Sequence, residues 1–398
     1  MKIIILINQN LNKTNFKLFD VSFKDNFMKN EFWSILGLYD FSIFNKYKGK
    51  GYRVLKHRKF IYISSYLDLY KKIKKVKKGT LFLNHAFGLN ALLIEIALKF
   101  KGFTKLGKLV FYNLSAEENV SNFNKLIELR KFGLLFVISK IFYFIKKKIK
   151  ENILNLFSTK AKYYLVESQQ QLEKFKQKNK KNKKIFFKIN SFNFCRFHNS
   201  KKKPINNNYF VFLDSEIERT YDEQVSKNKR SLINKEKYWN CMDNIFSSLQ
   251  SKFRESEIKI AAHHRRNFNN RPIARKFYFD KTLELVKNSK LVIAHHSQAI
   301  EWAILSNKPI LLINFEIFDS TSLVISREIE AYHKKLSAKI LRVDLNYNYQ
   351  LKRNFFNNFF KVNKRKYEKF KNYYLNFNKN DFLFENQWQT ISRNFKNL

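Results

Sequence analysis

Between Ile258 and Asn314 three short apolar runs, Ile258–Ala262, Leu291–Ala294 and Ile310–Ile313, alternate with segments of helical period. Strands joined by helices lie parallel, because a parallel pair needs a long crossover where an antiparallel pair needs only a turn. The stretch therefore reads as a parallel sheet covered by helices, an α/β domain. Two of the runs end in histidine pairs, His263–His264 and His295–His296, so four of the eight histidines fall where strands finish. In open parallel sheets ligands collect outside the carboxyl ends of the strands. Those pairs mark the first place to look for function.

The second pair leads into Ser297-Gln298-Ala299-Ile300-Glu301-Trp302-Ala303-Ile304, in which Ile300, Ala303 and Ile304 form an apolar stripe at i, i+3, i+4. Ser297 is placed to cap that helix, and a helix N-terminus offers unpaired N–H groups and a positive dipole end to a phosphate. Asn307-Lys308-Pro309 stops the helix. With the histidines alongside, the expectation is an anion site.

A chain of 398 residues, 44% of them hydrophobic, has room for two domains of ordinary size and a substantial core. All eight glycines lie at or before Gly133. The remaining two thirds contains neither a GxGxxG nor a GxxxxGK[ST] loop, which counts against a dinucleotide oxidoreductase or a P-loop NTPase. The formal charge of +46 suggests nucleic acid or an anionic membrane. The excess is mainly lysine, spread over the whole chain together with Asn, Phe, Ile and Tyr, and is read as residue bias. Cys195 and Cys241 form no CxxC pattern, so a disulfide scaffold or cysteine zinc site is not expected, and a cytoplasmic, reducing setting fits.

In chain order, Ile3–Ile7 reads as a first strand, with an apolar run too short for a signal peptide. The stretch from there to Gly51 has no clear period. Phe60–Ser64 and Thr80–Asn84 are strand candidates, the latter followed by His85 and a helix from Leu89 to Phe100. Leu109–Asn113 reads as the next strand. It precedes Glu117 and Glu118, adjacent carboxylates that suit either a general base or a helix first turn after Ser115. Residues 131–160 combine a very apolar face with Lys146, Lys147, Lys148 and Lys150, and suit either a partly buried helix or one lying on an anionic membrane surface. The apolar core of that region, Phe132–Ile145, is too short to span a bilayer.

Tyr163–Glu167, a helix from Ser168 to Lys178, and Ile185–Ile189 complete an N-terminal half assigned to residues 1–200. The polar stretch Asn199–Asn208 separates it from a second domain, 205–345, which opens on the strand Tyr209–Leu213 and the acidic Asp214-Ser215-Glu216. Tyr238, Trp239, Met242, Ile245, Phe246 and Leu249 share one face of a helix ahead of Ile258. A helix over Leu323–Leu336, a strand at Ile340–Val343 and a helical tail over 346–398 follow.

Two segments, IKIAAHHRR and DKTLELVKNSKLVIAHHSQAIEWAILSNKPILLIN, resemble the donor-domain motifs of two-domain GT-B glycosyltransferases of the bacterial capsule and lipopolysaccharide sialyltransferase and polysialyltransferase type. The resemblance covers Tyr209–Asn314, and the first half by architecture only. It implies two Rossmann-like domains facing each other across a cleft, with a helical C-terminal tail. It implies His263 as the group that contacts the donor phosphate and acts as an acid, and Ser297 as a donor-phosphate ligand. Arg265, Arg266, Thr282, His295, His296, Gln298 and Glu301 fall on the donor side. The proline that follows the histidine in that family is His264 here, and its second hydroxyl residue is Gln298. The acidic base motif has no clean counterpart; Glu117 and Glu118 are nearest in kind, with Asp214 as a rival.

The residue chemistry leads to the same transfer reaction. A histidine, Arg265 and Arg266 beside a helix N-terminus stabilise a leaving phosphate without a metal, and a carboxylate across the cleft deprotonates an acceptor hydroxyl. The expected partners are a nucleotide sugar, used as substrate with no cofactor, and a glycan or lipid-linked acceptor. An anionic membrane through 131–160 is a further partner, giving peripheral attachment to the inner face of the cytoplasmic membrane. A sugar-nucleotide epimerase of the related two-domain fold is the alternative. A histidine-metal hydrolase is a further one, although the second pair is adjacent and no HExxH is present. Nucleic-acid binding is not expected, because the aromatics sit in core-like runs instead of alternating with arginine.

Overall fold

The computed structural model describes residues 1–7, 29–34, 57–85, 89–109, 145, 161–178, 184–200, 208–219, 233–263, 266, 272–318, 323–346, 351, 353–375 and 387–396. Glu117, Glu118, His264, Arg265 and all of 131–160 except Ile145 lie outside the described residues. No helix among the described residues is long and apolar enough to cross a membrane.

The first half builds a seven-stranded sheet in the order β3-β2-β1-β4-β5-β6-β7. Its strands are β1 (Lys2–Ile7), β2 (Lys29–Ser34), β3 (Phe60–Tyr62), β4 (Leu81–Asn84), β5 (Thr104–Leu109), β6 (Tyr163–Val166) and β7 (Ile185–Lys188), and every pairing is parallel. The run of isoleucines in β1 is explained by burial on both faces. Ile3, Ile5 and Ile7 join one core cluster while Ile4 and Leu6 join the opposite one, as the two-residue repeat of a strand requires. The second face is covered by α1 (Tyr66–Lys75), through Leu69 and Ile73, and by α2 (Leu89–Phe100), through Ile94 and Leu98.

Two strands depart from the sequence reading. The β5 strand is Thr104–Leu109, ahead of the expected start at Leu109, and Leu109 is its last residue. Lys105, Gly107 and Lys108 conceal its periodicity. Gly107 is required there because an added Cβ would lie 2.6 Å from the Tyr164 ring of the neighbouring strand. The β2 strand, KNEFWS, carries no alternation that would reveal it, yet it is held between β1 and β3 and buries Phe32 and Trp33. After β6 comes α3 (Gln169–Lys178), and after β7 comes α4 (Phe192–His198). Ser191 caps α4 by accepting from the Phe194 N–H.

The second half forms a six-stranded sheet in the order β10-β9-β8-β11-β12-β13. It comprises β8 (Tyr209–Leu213), β9 (Glu257–Ala261), β10 (Phe277–Tyr278), β11 (Leu291–Ala294), β12 (Ile310–Phe315) and β13 (Lys339–Val343), again all parallel. Counted within the domain the order is 3-2-1-4-5-6, so the chain leaves β8 to one side and returns to build on the other. The helix α5 (Lys235–Lys252) buries the expected stripe of Tyr238, Trp239, Met242, Ile245, Phe246 and Leu249. The sheet is further covered by α6 (Thr282–Asn288), α7 (Ile300–Leu305) and α8 (Leu323–Leu336).

The C-terminal part crosses back. After α9 (Lys364–Phe370) a π-helical turn, Lys371–Leu375, packs near α3 of the first domain, and Tyr373 donates to Glu173 at 2.7 Å. The last helix, α10 (Gln387–Lys396), lays Trp388, Ile391 and Phe395 on the face of the first sheet that carries Ile3, Phe32 and Phe187. The last segment of the chain thus completes the core of the first domain.

Candidate functional site

The first and fourth strands of the second domain, β8 and β11, pair up to their last residues, Leu213 and Ala294, and three loops meet beyond their carboxyl ends. The loop after β8 carries Asp214, Ser215 and Glu216. The loop after β9 carries His263 and Arg266, and the loop after β11 carries His295 to Gln298. Ser215 stitches two of them together by donating its hydroxyl to the His296 carbonyl. The chain builds the sheet in opposite directions from β8 and β11, and that switch is what makes room for a ligand.

Beneath the loops lies an ionic brace. The Arg266 side chain is 1% exposed; its Nε and Nη2 donate to the two Asp214 oxygens at 2.5 and 2.8 Å, and Nη2 reaches Glu218 Oε1 at 2.9 Å. The guanidinium lies 5.1 Å from the centroid of the Trp239 ring, whose N–H donates to Glu218 at 3.0 Å. Burial alone would lower the arginine pKa, but the hydrogen bonds and charge of Asp214 and Glu218 outweigh it and hold the group charged. Asp214 also accepts from the Glu216 N–H at 2.9 Å and the His263 N–H at 3.2 Å, so one carboxylate fixes the loops after β8 and β9. The sequence reading expects a base at Asp214 and a phosphate ligand at Arg266. The structure puts both inside the domain, with their charges spent on each other.

His295 is likewise a core residue and not a surface ligand. It is fully buried, edged by Phe212, Tyr238, Phe315 and Phe318. Its Nδ1 lies 2.8 Å from the Ile313 carbonyl, which only accepts, so Nδ1 carries the proton and Nε2 accepts from the Tyr238 hydroxyl at 2.9 Å. Burial pushes its pKa down to about 4, leaving the ring neutral.

The other two described histidines of the strand-end pairs, His263 and His296, face outward, each beside a carboxylate. His263 Nδ1 lies 3.4 Å from Glu216 Oε2, and His296 Nε2 lies 3.0 Å from Glu328 Oε2, a residue of α8. Burial opposes the charged form of His296, but the hydrogen bond and charge of Glu328 prevail and raise its pKa. Glu216 adopts a left-handed backbone conformation, φ 51°, one that L-residues other than glycine rarely take.

Ser297 does not cap α7 in the expected way. The chain enters the helix through tight turns, with Ile300, Glu301 and Trp302 N–H groups bonding carbonyls three residues back, and Ser297 Oγ accepts from the Ala299 N–H at 3.2 Å. Gln298 is exposed, and its carbonyl accepts from the Asn193 amide of α4 at 3.3 Å, while Trp302 Nε1 donates to the Asn193 carbonyl at 3.0 Å. The helix α4, which follows β7, therefore touches the second sheet's domain beside the loop of His296. Glu301 is buried in the first turn of α7. Thr282 is half-buried at the start of α6, beside a cleft of about 250 Å³ lined by Arg196, Asp280, Lys281 and Lys287; none of the strand-end histidines lines it.

The sequence places His263 and His296 at strand ends but does not pair them with Glu216 and Glu328. Glu216 was legible as a strand-end acid next to Asp214. Glu328 carries no local signal, because only the packing of α8 brings it to His296.

No protein-family model matches the sequence, and no match is found among curated proteins. Solved structures do share its architecture. The wall teichoic acid polymerase TagF superposes with a TM-score of 0.52 at 12% identity over 100% of this chain and 88% of that one. A histidine-to-alanine variant of TagF gives 0.54 at the same identity and coverage. A UDP-GlcNAc 2-epimerase from Methanocaldococcus jannaschii in complex with UDP-GlcNAc and UDP covers 100% of this chain and 99% of its own, at 13% identity and a TM-score of only 0.42. The likeness to TagF establishes the fold: two parallel-sheet domains of GT-B type, with the helical C-terminal element expected from sequence.

Proposed function

We propose that this chain is a nucleotide-sugar-dependent glycosyltransferase that moves a sugar to a surface glycan or lipid-linked oligosaccharide in capsule or lipopolysaccharide biosynthesis. The observation that carries the reading is the switch point of the second sheet, where His263 and His296 stand beside buried or half-buried carboxylates around a loop hydrogen-bonded to both neighbours. The wall teichoic acid polymerase TagF is built on the same fold.

In this reading the donor phosphates lie over the loop from His296 to Gln298. His296, whose charged form is favoured by Glu328, and the Ser297 hydroxyl meet their charge. The sugar–oxygen bond to the phosphate breaks, and His263 gives the departing oxygen a proton or a hydrogen bond. The acceptor hydroxyl attacks the sugar carbon and surrenders its proton to a carboxylate of the first domain, for which Glu117 and Glu118 remain the proposed groups. With Asp214 committed to Arg266, base catalysis belongs on the first-domain side. Arg265 is proposed to assist at the phosphates, and residues 131–160 to rest on the anionic membrane that carries a lipid-linked acceptor.

The test is thermal melting against nucleotide mono- and diphosphates, CMP-N-acetylneuraminate and UDP-N-acetylglucosamine, with and without EDTA, followed by turnover of whichever donor stabilises the protein. Stabilisation that survives EDTA and a loss of about 10²-fold or more in turnover for His263→Ala are expected. Absence of nucleotide binding, or binding abolished by EDTA, refutes the reading. Inversion of the sugar nucleotide without an acceptor supports the epimerase instead.

A further inference from the structure

We propose that the outer face of α1 and α2 is a docking surface for an anionic lipid bilayer, with Leu67 and Phe100 entering the interface and the lysines of α1 meeting the headgroups. The proposal deepens the reading of a lipid-linked acceptor and rests on it for the purpose of the contact.

The first observation is where the exposed apolar side chains lie. Seven large hydrophobic residues are exposed among the described residues, and five of them, Tyr66, Leu67, Tyr70, Leu93 and Phe100, belong to these two helices. Scattered singly they would carry no meaning; gathered on one helical layer they mark a surface that takes a partner. Leu67 is 63% exposed and Phe100 is 87% exposed. Each helix already fills an inner face against the first sheet, with Leu69 and Ile73 on α1 and Ile94 and Leu98 on α2. The outer residues are therefore surplus to the core. Leu93 and Phe100 stand two helical turns apart and share a stripe.

The second observation is charge. From Tyr66 to Lys78 the chain holds six lysines against one aspartate. Asp68 is paired with Lys72 at 3.2 Å, while Lys71, Lys74, Lys75, Lys77 and Lys78 are exposed. The one acid of α2, Glu95, is buried and accepts from Asn84 and Lys105, both at 2.6 Å. Among its described residues the outer face thus presents lysines without an exposed carboxylate.

Third, the apolar and basic groups are interleaved. Lys74 Nζ lies 4.6 Å from the centroid of the Tyr70 ring. Lys74, by hydrogen bond and charge, and Lys101, by charge, lower the Tyr70 pKa, so the end of α2 lies beside α1. A bilayer interface accepts both kinds of group at once. Tyrosine settles at headgroup depth, leucine and phenylalanine enter the acyl boundary, and lysine stems lie along them while the ammonium groups reach lipid phosphates. Other partners fit less well. A two-fold contact between copies of this chain sets the same patch on itself, lysine against lysine. A nucleic acid leaves the aliphatic Leu67 and Leu93 with nothing to stack on, and neither helix contains an arginine to grip its phosphates. The helix α1 starts at the carboxyl end of β3, so Leu67 lies at the edge where a parallel sheet takes its ligands. Docking there brings that edge to the headgroups, where a lipid-linked acceptor is held.

The experiment is co-sedimentation of the full chain with phosphatidylcholine vesicles, with and without phosphatidylglycerol. The parent should bind the anionic vesicles, and less so as salt rises. Lys71→Gln, Lys74→Gln and Lys78→Gln together should weaken binding about 10-fold or more. Changing the exposed Lys361, Lys364 and Lys369 to Gln removes equal charge elsewhere and should weaken it no more than about 2-fold. Leu67→Ser with Phe100→Ser should weaken binding while leaving the melting temperature unchanged. All four tryptophans are buried, so in Phe100→Trp the introduced indole reports the contact, and its emission should move to shorter wavelength on the vesicles. Equal losses from the α1 lysines and the control lysines would reduce the binding to net charge and overturn the proposal. So would no binding by the parent, no emission shift, or a loss confined to changes at Lys146, Lys147, Lys148 and Lys150. Single-stranded RNA that displaces the vesicles and binds Leu67→Ser, Phe100→Ser as tightly as the parent would also overturn it, assigning the face to nucleic acid. Nucleotide-induced stabilisation, measured on the same proteins, separates the two readings. Vesicle binding without nucleotide binding removes the functional reading and keeps the surface; nucleotide binding without vesicle binding removes the surface alone.

Discussion

Replacing Arg266 by methionine tests the brace beneath the site. The substitution keeps much of the side-chain volume and its contact with Trp239, but it removes the cation from between Asp214 and Glu218, both 0% exposed at the side chain. Two buried carboxylates then lose the cation that lies between them. Breaking a buried ion pair by removing one partner costs about 3–5 kcal/mol, most of it the price of the stranded charge. At about 2–4 °C per kcal/mol for a domain of this class, the melting transition of the second domain should fall by roughly 6–20 °C. The assay is calorimetric or circular-dichroism melting of the full chain. Adding Asp214→Asn and Glu218→Gln to Arg266→Met should recover part of the loss, because the stranded charges are then gone. A melting temperature within about 2 °C of the parent for Arg266→Met alone would refute the brace. A triple variant worse than the sum of its parts would show that these residues act through packing rather than charge.

The adjacent histidines should respond to pH with opposite sign. His295 is held neutral with its pKa lowered to about 4, so below about pH 6.5 the unfolded chain takes a proton that the folded one refuses; about 3 kcal/mol of stability should be lost as pH falls from 6.5 to 4, and equal pH slopes for the parent and His295→Gln would contradict this. His296 has a raised pKa, so its contribution is complete below about pH 6.5 and fades as pH climbs through the folded value; Glu328→Gln should remove that loss in melts between pH 6 and 9. Gln171 is buried with neither amide atom hydrogen-bonded, so Gln171→Leu should stabilise the first domain by about 1–3 kcal/mol, read as a higher melting temperature; a lower one would mean that the amide has a partner in solution. Removing residues 387–398 should uncover Phe32 and Phe187 and destabilise the first domain ahead of the second, seen as a split melting transition.

What the sequence by itself determined is everything that follows from strand and helix periodicity. Burial on both faces of a parallel strand demands continuous apolar runs, and Ile3–Ile7, Tyr209–Leu213, Leu291–Ala294 and Ile310–Ile313 supply them. From those runs came the α/β class, the two sheets, and the strand ends at which His263, His296 and Ser297 lie. The strands β2 and β5 stayed hidden because Lys29, Asn30, Lys105 and Lys108 break the pattern, and their place is set by neighbours on either side. Periodicity also cannot separate a histidine that faces a ligand from one that faces the core. His295 and His296 are consecutive and project differently, so one is locked between Ile313 and Tyr238 while the other meets Glu328 from a distant helix. The same limit applies to charge: Asp214 and Arg266 read as catalytic in a linear sequence and become a buried brace once β8 and β9 pair. Only the tertiary structure assigned these partners, because a side chain's chemistry is fixed by what packs against it, and those contacts join residues tens of positions apart.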